Sequence, residues 1–126
     1  MPRRVDQDLA VKAAEALPAQ VNRELLTVLR AVPVLIHNNG LVMAVTYLLA
    51  KAKGDREDRH WTVAQAILRE AADLIRLNPG SDDPLTILDR LATVDSVRYA
   101  VAQRRARELT VWLGRIGSAR ATGESR

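Results

Sequence analysis

Few residues of this sequence have the type and spacing that catalysis or metal binding requires. His37 and His60 lie in different segments, and neither has a second ligand at helical spacing. Glu70 and Asp73 stand three residues apart and could share a cation, although a solvated helix face is the simpler interpretation. Cysteine is absent, and no motif of a serine nucleophile, a phosphate-binding loop or a dinucleotide-binding turn occurs. The sequence therefore predicts a protein without catalytic activity, cofactor or metal ion.

The clearest functional signal of the sequence is its arginine-rich C-terminal third. Residues 1–89 contain 11 basic and 12 acidic side chains, whereas residues 90–126 contain 8 basic and 3 acidic ones. The net charge of +4 therefore belongs to the end of the chain. Such an asymmetry indicates a polyanion or an acidic protein as partner, or else a solvated helix face.

The last predicted helix begins after Thr93 or Asp95, ends near Ser118, and divides on a helical wheel into an apolar arc and a basic flank. The apolar arc consists of Val94, Val97, Val101, Leu109, Trp112, Leu113 and Ile116. The basic flank consists of Arg104, Arg107 and Arg115. Since only one acid lies near them on the wheel, we expect these three arginines to approach the phosphates of a nucleic acid.

Two further arginines, Arg98 and Arg105, fall inside the apolar arc. Their stems can lie on a core while the charged heads stay in water, or the heads can pair with acids of another helix or another chain. We expect these two arginines at a packing contact or a subunit interface. Lys51 and Lys53, at the end of the third predicted helix, are further candidates for nucleic-acid binding.

Apolar residues recur with a helical period along the chain, and no strand is predicted. The third helix, about Leu41–Lys51, is apolar almost all round and is predicted to be the buried centre. Asp83 before Pro84 predicts the N-cap of a short fifth helix. Residues 1–126 are predicted to form one all-α domain, a compact bundle of about six helices with a buried central helix and a long C-terminal helix. Its tail, about residues 119–126, is predicted to be disordered.

Two other helices carry specific expectations. The second is predicted to begin near Ala19, to kink at Pro33, and to end at Asn39 and Gly40, where glycine supplies a left-handed stop. The fourth is predicted over about Arg59–Leu77, with an apolar face that begins at its tryptophan.

Aromatic residues make up only 3% of the chain, which limits how it could read a nucleic acid. Trp61 and Trp112 both lie on apolar faces, so they are predicted to pack in the bundle rather than to stack on bases. The sequence also lacks the compact spacing of a helix-turn-helix. Any contact with nucleic acid is therefore expected to involve phosphates and to be largely independent of base sequence.

Two segments together form a recognisable pattern. The first is residues 32–41, Val-Pro-Val-Leu-Ile-His-Asn-Asn-Gly-Leu, followed by Ala44, Tyr47 and Leu48. The second comprises Tyr99, Trp112, Leu113 and Arg115. They resemble the Pro-x-x-I-x-x-N-G-L segment and the Tyr…Trp-Leu-Lys-Arg ending of the small subunit of type III-B (Cmr) CRISPR RNA-guided effector complexes, over roughly residues 17–119. Gly114 stands in place of the lysine, and Arg105 stands where the family often has glutamate.

The resemblance implies a small helical, non-catalytic subunit that stacks in more than one copy along the complex and supports guide–target RNA binding in antiviral defence. The partners it implies are other effector subunits, further copies of the chain, and guide and target RNA, contacted mainly at phosphates. No membrane partner is expected, and the protein is expected in the cytoplasm. The residues alone leave two alternatives open. One is a protein-interaction module whose arginines meet acids of a neighbouring subunit or a second copy, and the other is a helical DNA-binding protein unrelated to CRISPR.

Overall fold

A computed structural model of the protein describes residues 5–74 and 83–121, and most of these residues are helical. The helices are α1 (Val5–Ala16), α2 (Arg23–Asn39), α3 (Leu41–Ala52), α4 (Arg59–Leu74), α5 (Pro84–Thr93) and α6 (Ser96–Ala119). These two ranges contain no strand, and none of their helices is long and apolar enough to cross a bilayer. The predicted all-α bundle with a long C-terminal helix is confirmed, while the predicted end of α4 near residue 77 lies outside the described residues.

The buried centre of the bundle is α4 rather than α3. α4 packs against every other helix. Its buried residues are Trp61, Val63, Ala64, Ile67, Leu68, Glu70, Ala71 and Ala72. α3, in contrast, turns Met43 and Tyr47 to solvent, with exposed fractions of 63% and 49%. The prediction of a buried central helix is confirmed, but its assignment to α3 is wrong, because an apolar composition does not reveal which sides of a helix have neighbours.

α2 begins four residues later than predicted, because Asn22 is its N-cap. The Asn22 Oδ1 atom accepts a hydrogen bond from the Leu25 N–H at 2.8 Å. Val21 is buried, but in the extended segment before the helix, where its N–H donates to the Arg120 carbonyl at 2.9 Å. Because Val21 is apolar and in phase with the helical period, the sequence pattern included it and predicted the start of α2 too early.

The buried stripe of α6 also differs from the predicted apolar arc. It consists of four small residues, Ala102, Ala106, Thr110 and Gly117, together with Leu109 and Leu113. Gly117 lies so close to α2 that an added Cβ would come within 2.6 Å of Leu29 Cδ1. Val97 and Val101, which the wheel placed in the arc, are 73% and 50% exposed. The predicted arc was defined by the large apolar residues of the helix. The structure instead packs α6 closely against its neighbours at alanine and glycine positions, which the predicted arc did not include.

Arg120, the residue after α6, forms hydrogen bonds to the C-terminal end of α1. Its Nη1 donates to the carbonyl oxygens of Ala14 and Leu17 at 2.8 and 3.1 Å. These carbonyls lie at the C-terminal end of α1, where helix geometry leaves acceptors without an intrahelical partner. The first part of the predicted tail, residues 119–121, is thus held against the bundle, and the rest, residues 122–126, lies outside the described residues.

α2 and α3 are joined by a single residue, Gly40. Its φ of 84° and ψ of 166° fall in a region that is essentially restricted to glycine. The Gly40 N–H closes α2 by donating to the Ile36 carbonyl at 2.8 Å. The predicted glycine stop is therefore present with a positive φ, although its ψ is extended rather than that of a left-handed helix.

The start of α3 is capped by side chains of α6. Gln103 Oε1 accepts from the Leu41 N–H at 2.9 Å, and Tyr99 Oη accepts from the Val42 N–H at 3.1 Å. The first amides of a helix have no intrahelical acceptor, and a glycine at the N-cap has no side chain to offer one. These two long-range hydrogen bonds therefore replace a local cap.

Substitution of Gly40 tests this junction, with Gly54 as the matched control. Both glycines have positive φ, but an added Cβ at Gly54 meets no heavy atom within 4 Å, whereas at Gly40 it lies 3.4 Å from Gln103 Oε1. We expect Gly40→Ala to lower the free energy of unfolding by about 2–3 kcal/mol and Gly54→Ala by about 1 kcal/mol. Urea denaturation followed by circular dichroism measures both, and equal losses would contradict the special role of Gly40.

Candidate nucleic-acid interface

The predicted basic flank lies on the exposed side of α6, opposite its buried stripe. Arg104, Arg107 and Arg115 are all exposed there. At 1.5 Å per residue they extend over about 17 Å of the helix. The Arg115 guanidinium lies 5.5 Å from the centre of the Trp112 ring, a cation–π distance. The structure therefore brings the three predicted arginines together on one surface, which we call the outer face of α6.

The outer face is open and predominantly basic. A shallow depression of about 460 Å³ on it is lined by Ala100, Gln103, Arg104, Arg107, Glu108 and Val111. Glu108 is the one acidic residue of this face within the described part of α6. A shallow surface of this kind suits an extended chain of phosphates better than a small enclosed ligand.

Arg105 turns away from the outer face and pairs with Glu70 of α4. Its Nη1 lies 3.4 Å from Glu70 Oε2. The carboxylate is buried, with 3% exposure, and its second oxygen accepts from Lys12 Nζ at 2.6 Å. Of the two interpretations of Arg105, pairing with an acid of another helix is what the structure contains. This ion pair connects α6 to α4. Arg104, Arg107 and Arg115 take no part in it and stay exposed on the outer face.

Lys12 is the cation that Glu70 and Asp73 share. Its Nζ also lies 3.5 Å from Asp73 Oδ2 and 3.3 Å from Asp8 Oδ2. Burial lowers the pKa of Lys12, but hydrogen bonds and charges from Glu70 and Asp8 outweigh it, so that the pKa is raised overall. Glu70 is thus not on a solvated face. In residues 5–74 and 83–121, no group of three or more acidic or histidine side chains could hold a metal ion.

The remaining candidate residues lie away from the outer arginines. Arg98 is exposed, and its Nε is 3.4 Å from the Oδ2 of Asp95, the N-cap of α6, so it is not embedded in an apolar arc. Lys51 lies over the ring of Tyr47 at 5.5 Å, and Lys53 ends α3 with a φ of 53°. Both lysines are exposed, but on a different helix from the arginines.

The two histidines have different surroundings. Asp58 Oδ1 accepts from the His60 N–H at 2.7 Å and lies 2.8 Å from His60 Nδ1. These hydrogen bonds, the backbone one foremost, lower the pKa of Asp58. Asp58 thereby caps the start of α4. His37 is exposed in the last turn of α2.

The fold and its outer face define a class of protein, a small helical bundle with three arginines gathered on the exposed side of its last helix. Residues 4–120 match the family described as CRISPR-associated protein (Cas_Cmr5). The chain therefore belongs to this family and is a small subunit of the type III-B CRISPR-associated system, as the resemblance of the two sequence segments indicated. Family membership implies association with other subunits of the effector complex. Comparisons with curated proteins and with solved structures found no match.

Sequence reasoning missed the residues that hold the interface in place. Glu70 and Lys12 are 58 residues apart, and Gln103 and Leu41 are 62 apart, so no local pattern connects them. The available signals were weak. One was Glu70 on the apolar side of α4. The other was the pair of polar side chains, Tyr99 and Gln103, on the side of α6 that faces the bundle.

Removal of the Lys12 ammonium tests the buried ion pair. We expect Lys12→Met to lower the free energy of unfolding near neutral pH by about 1–2 kcal/mol, because the buried Glu70 carboxylate then has Arg105 alone. Since folding raises the pKa of Lys12, its contribution is complete below the ordinary value of 10.5 and is lost as the pH rises through the higher folded value.

The measurement is urea denaturation of the wild-type protein and the variant near neutral pH, at about pH 9 and at about pH 12. The difference in unfolding free energy between the two proteins is expected to be similar at the first two pH values and smaller at the third. Lys51→Met, which removes an exposed lysine of α3, is the control and is expected to have little effect. A wild-type–variant difference that does not change with pH would contradict the proposed charge interaction.

Proposed function

We propose that the protein is a non-catalytic subunit of a type III-B CRISPR ribonucleoprotein effector complex, whose outer face of α6 contacts the phosphates of guide and target RNA. The observation that carries the proposal is the gathering of Arg104, Arg107 and Arg115 on one exposed helix face. Guanidinium groups bind phosphate oxygens through charge-assisted hydrogen bonds that carry no base information. Copies of the subunit stacked along the complex would repeat this contact, and repeated weak contacts add to the binding.

The surroundings of the aromatic residues favour phosphate contact over base stacking. Trp61 is 5% exposed, and Trp112 is partly buried with Arg115 over its ring. Tyr99 is engaged at the start of α3. Binding that depends on charge alone accepts any base sequence, which is what a complex programmed by exchangeable guide RNAs requires.

Other residues have secondary parts in the proposal. Lys51 and Lys53, exposed at the end of α3, are further candidates for phosphate contact. Arg98, exposed at the start of α6, is our candidate for a subunit contact, whereas Arg105 is already engaged by Glu70. We further propose that the subunit acts in the cytoplasm in antiviral defence and leaves RNA cleavage to other subunits of the complex.

Charge reversal of the outer face tests the proposal. Replacing Arg104, Arg107 and Arg115 by Glu is expected to weaken capture of target RNA by the assembled complex. It is also expected to reduce the log–log dependence of affinity on salt by about 0.7 for each lost phosphate contact. Affinity is measured by filter binding or fluorescence anisotropy at several salt concentrations.

The matched control reverses three exposed arginines on other helices. These are Arg23, Arg59 and Arg90. The control changes the net charge by the same amount, so equal weakening by both triple variants would assign the effect to overall charge and contradict the outer face as the RNA contact. Circular dichroism and incorporation into the complex show whether each variant is folded.

A second function, protein interaction, is favoured by one observation on the same face. Val97, Val101 and Val111 are exposed there, at 73%, 50% and 39%. Valine gains nothing from phosphate, but it gains free energy when an apolar surface covers it. The outer face therefore has the chemistry of a protein contact as well as that of an RNA contact.

A further inference from the structure

The exposed side of α6 carries residues at alternating spacings of four and three. This outer seam consists of Val97, Val101, Arg104, Glu108, Val111 and Arg115. Alternation of four and three is the spacing by which one helix presents a continuous ridge to another helix, as in a coiled coil. All six residues are exposed, so no helix within the described part of the chain covers this ridge.

The valines of the outer seam are not explained by the stability of α6 itself. Valine is a poor helix former, because its branched side chain loses rotamer freedom against the preceding turn. Three exposed valines on one ridge therefore weaken the isolated helix without contributing to the core of the bundle. A partner surface that covered these valines with apolar groups would gain the favourable free energy of burying them, which the monomer lacks.

We propose that the outer seam pairs with the outer seam of a second copy of the chain, with the two α6 helices antiparallel about a two-fold axis level with residue 106. In this register Val101 faces Val111 of the second copy, and Arg104 faces Glu108 of the second copy. Val97 faces the aliphatic stem of Arg115. Each contact occurs twice, as a symmetric dimer requires.

Charge selects the antiparallel orientation. In a parallel pair each seam residue would face its own equivalent, so that Arg104, Glu108 and Arg115 would each meet a like charge. In the antiparallel pair the single acid of the outer face meets an arginine in both halves of the interface. The seam is therefore self-complementary in one orientation and self-repelling in the other.

The size of the contact limits its strength. The seam extends over about 27 Å of one helix in each copy, which places the interface at the small end of specific protein contacts. In addition, the exposed Arg107 side chains of the two copies lie on the same flank near the axis, and their like charges oppose pairing. The dimer is therefore expected to dissociate on dilution.

The proposed dimer does not depend on RNA binding, although it uses some of the same side chains. Pairing occupies Arg104 and Arg115, which the RNA contact also requires. The dimer is measured on the isolated chain without RNA, and RNA capture is measured on the assembled complex. Failure of one proposal is therefore distinguishable from failure of the other.

A charge-swap experiment, read by sedimentation equilibrium, tests the register. Arg104→Glu alone and Glu108→Arg alone each place like charges opposite each other, and each is expected to raise the dimer dissociation constant by about tenfold. Combining both substitutions in one chain restores opposite charges and is expected to restore the wild-type constant. An equimolar mixture of the two single variants is expected to form a heterodimer, because an acidic seam then meets a basic one. If neither the double variant nor the mixture associates more tightly than the single variants, the proposed register is wrong.

A second pair of variants tests the apolar part of the contact. Val101→Glu is expected to abolish dimerisation at concentrations where the wild-type chain is dimeric, because it places a charge opposite Val111 of the second copy. Val34→Glu is the matched control, since Val34 is 59% exposed on α2 and lies outside the seam. Both variants are surface changes, and circular dichroism shows whether they remain folded. A monomeric wild-type chain throughout the accessible concentration range, or equal loss of the dimer in both variants, would overturn the proposal.

Discussion

The close packing of α6 against α1, α2 and α4 is the constraint on which the other features of the structure depend. α6 approaches its neighbours through alanine and glycine, and most closely where Gly117 meets Leu29. This side of the helix also buries two leucines, Leu109 and Leu113, whereas arginine and the exposed valines lie on the other side. The same packing brings polar side chains of α6 to the start of α3 and to a buried carboxylate of α4. The residue that follows the helix, Arg120, reaches the end of α1. One helix thus ties the bundle together and also carries its basic surface.

The two sequence segments that resemble the Cmr small subunit meet at one contact, where Tyr99 of the second segment reaches the end of the first. Gly40 is required because its backbone conformation is essentially restricted to glycine, and α3 begins directly after it with the buried Leu41. The amides at this start are then satisfied from α6, in part by Tyr99. A glycine at the junction and a tyrosine almost sixty residues later therefore depend on each other. This physical coupling gives a reason for Gly40 and Tyr99 to occur together.

The sequence predicted the helices well, because the helical period and local caps such as Asp83 are recorded within a few residues of the chain. It predicted the environment of individual side chains less well, because that environment depends on distant partners. Glu70 and Asp73 have the spacing of a solvated face, yet Lys12 and Arg105 make a buried ion pair of Glu70. The rotation of α6 was misjudged for the same reason, since no local pattern shows that alanine rather than valine meets the neighbouring helices.

Arginine and valine on one exposed face suit two different partners, and the strength of each contact decides which partner prevails. Phosphate contact engages guanidinium groups and leaves the valines in water, whereas pairing of two copies covers the valines and neutralises part of the charge. A single pair of seams is a small contact. Under the proposed function, an assembled complex presents phosphates to several copies along one RNA, and each contact raises the effective concentration for the next. The RNA therefore outweighs pairing once assembly begins, whereas a free chain, with no phosphates at hand, gains more from a second copy.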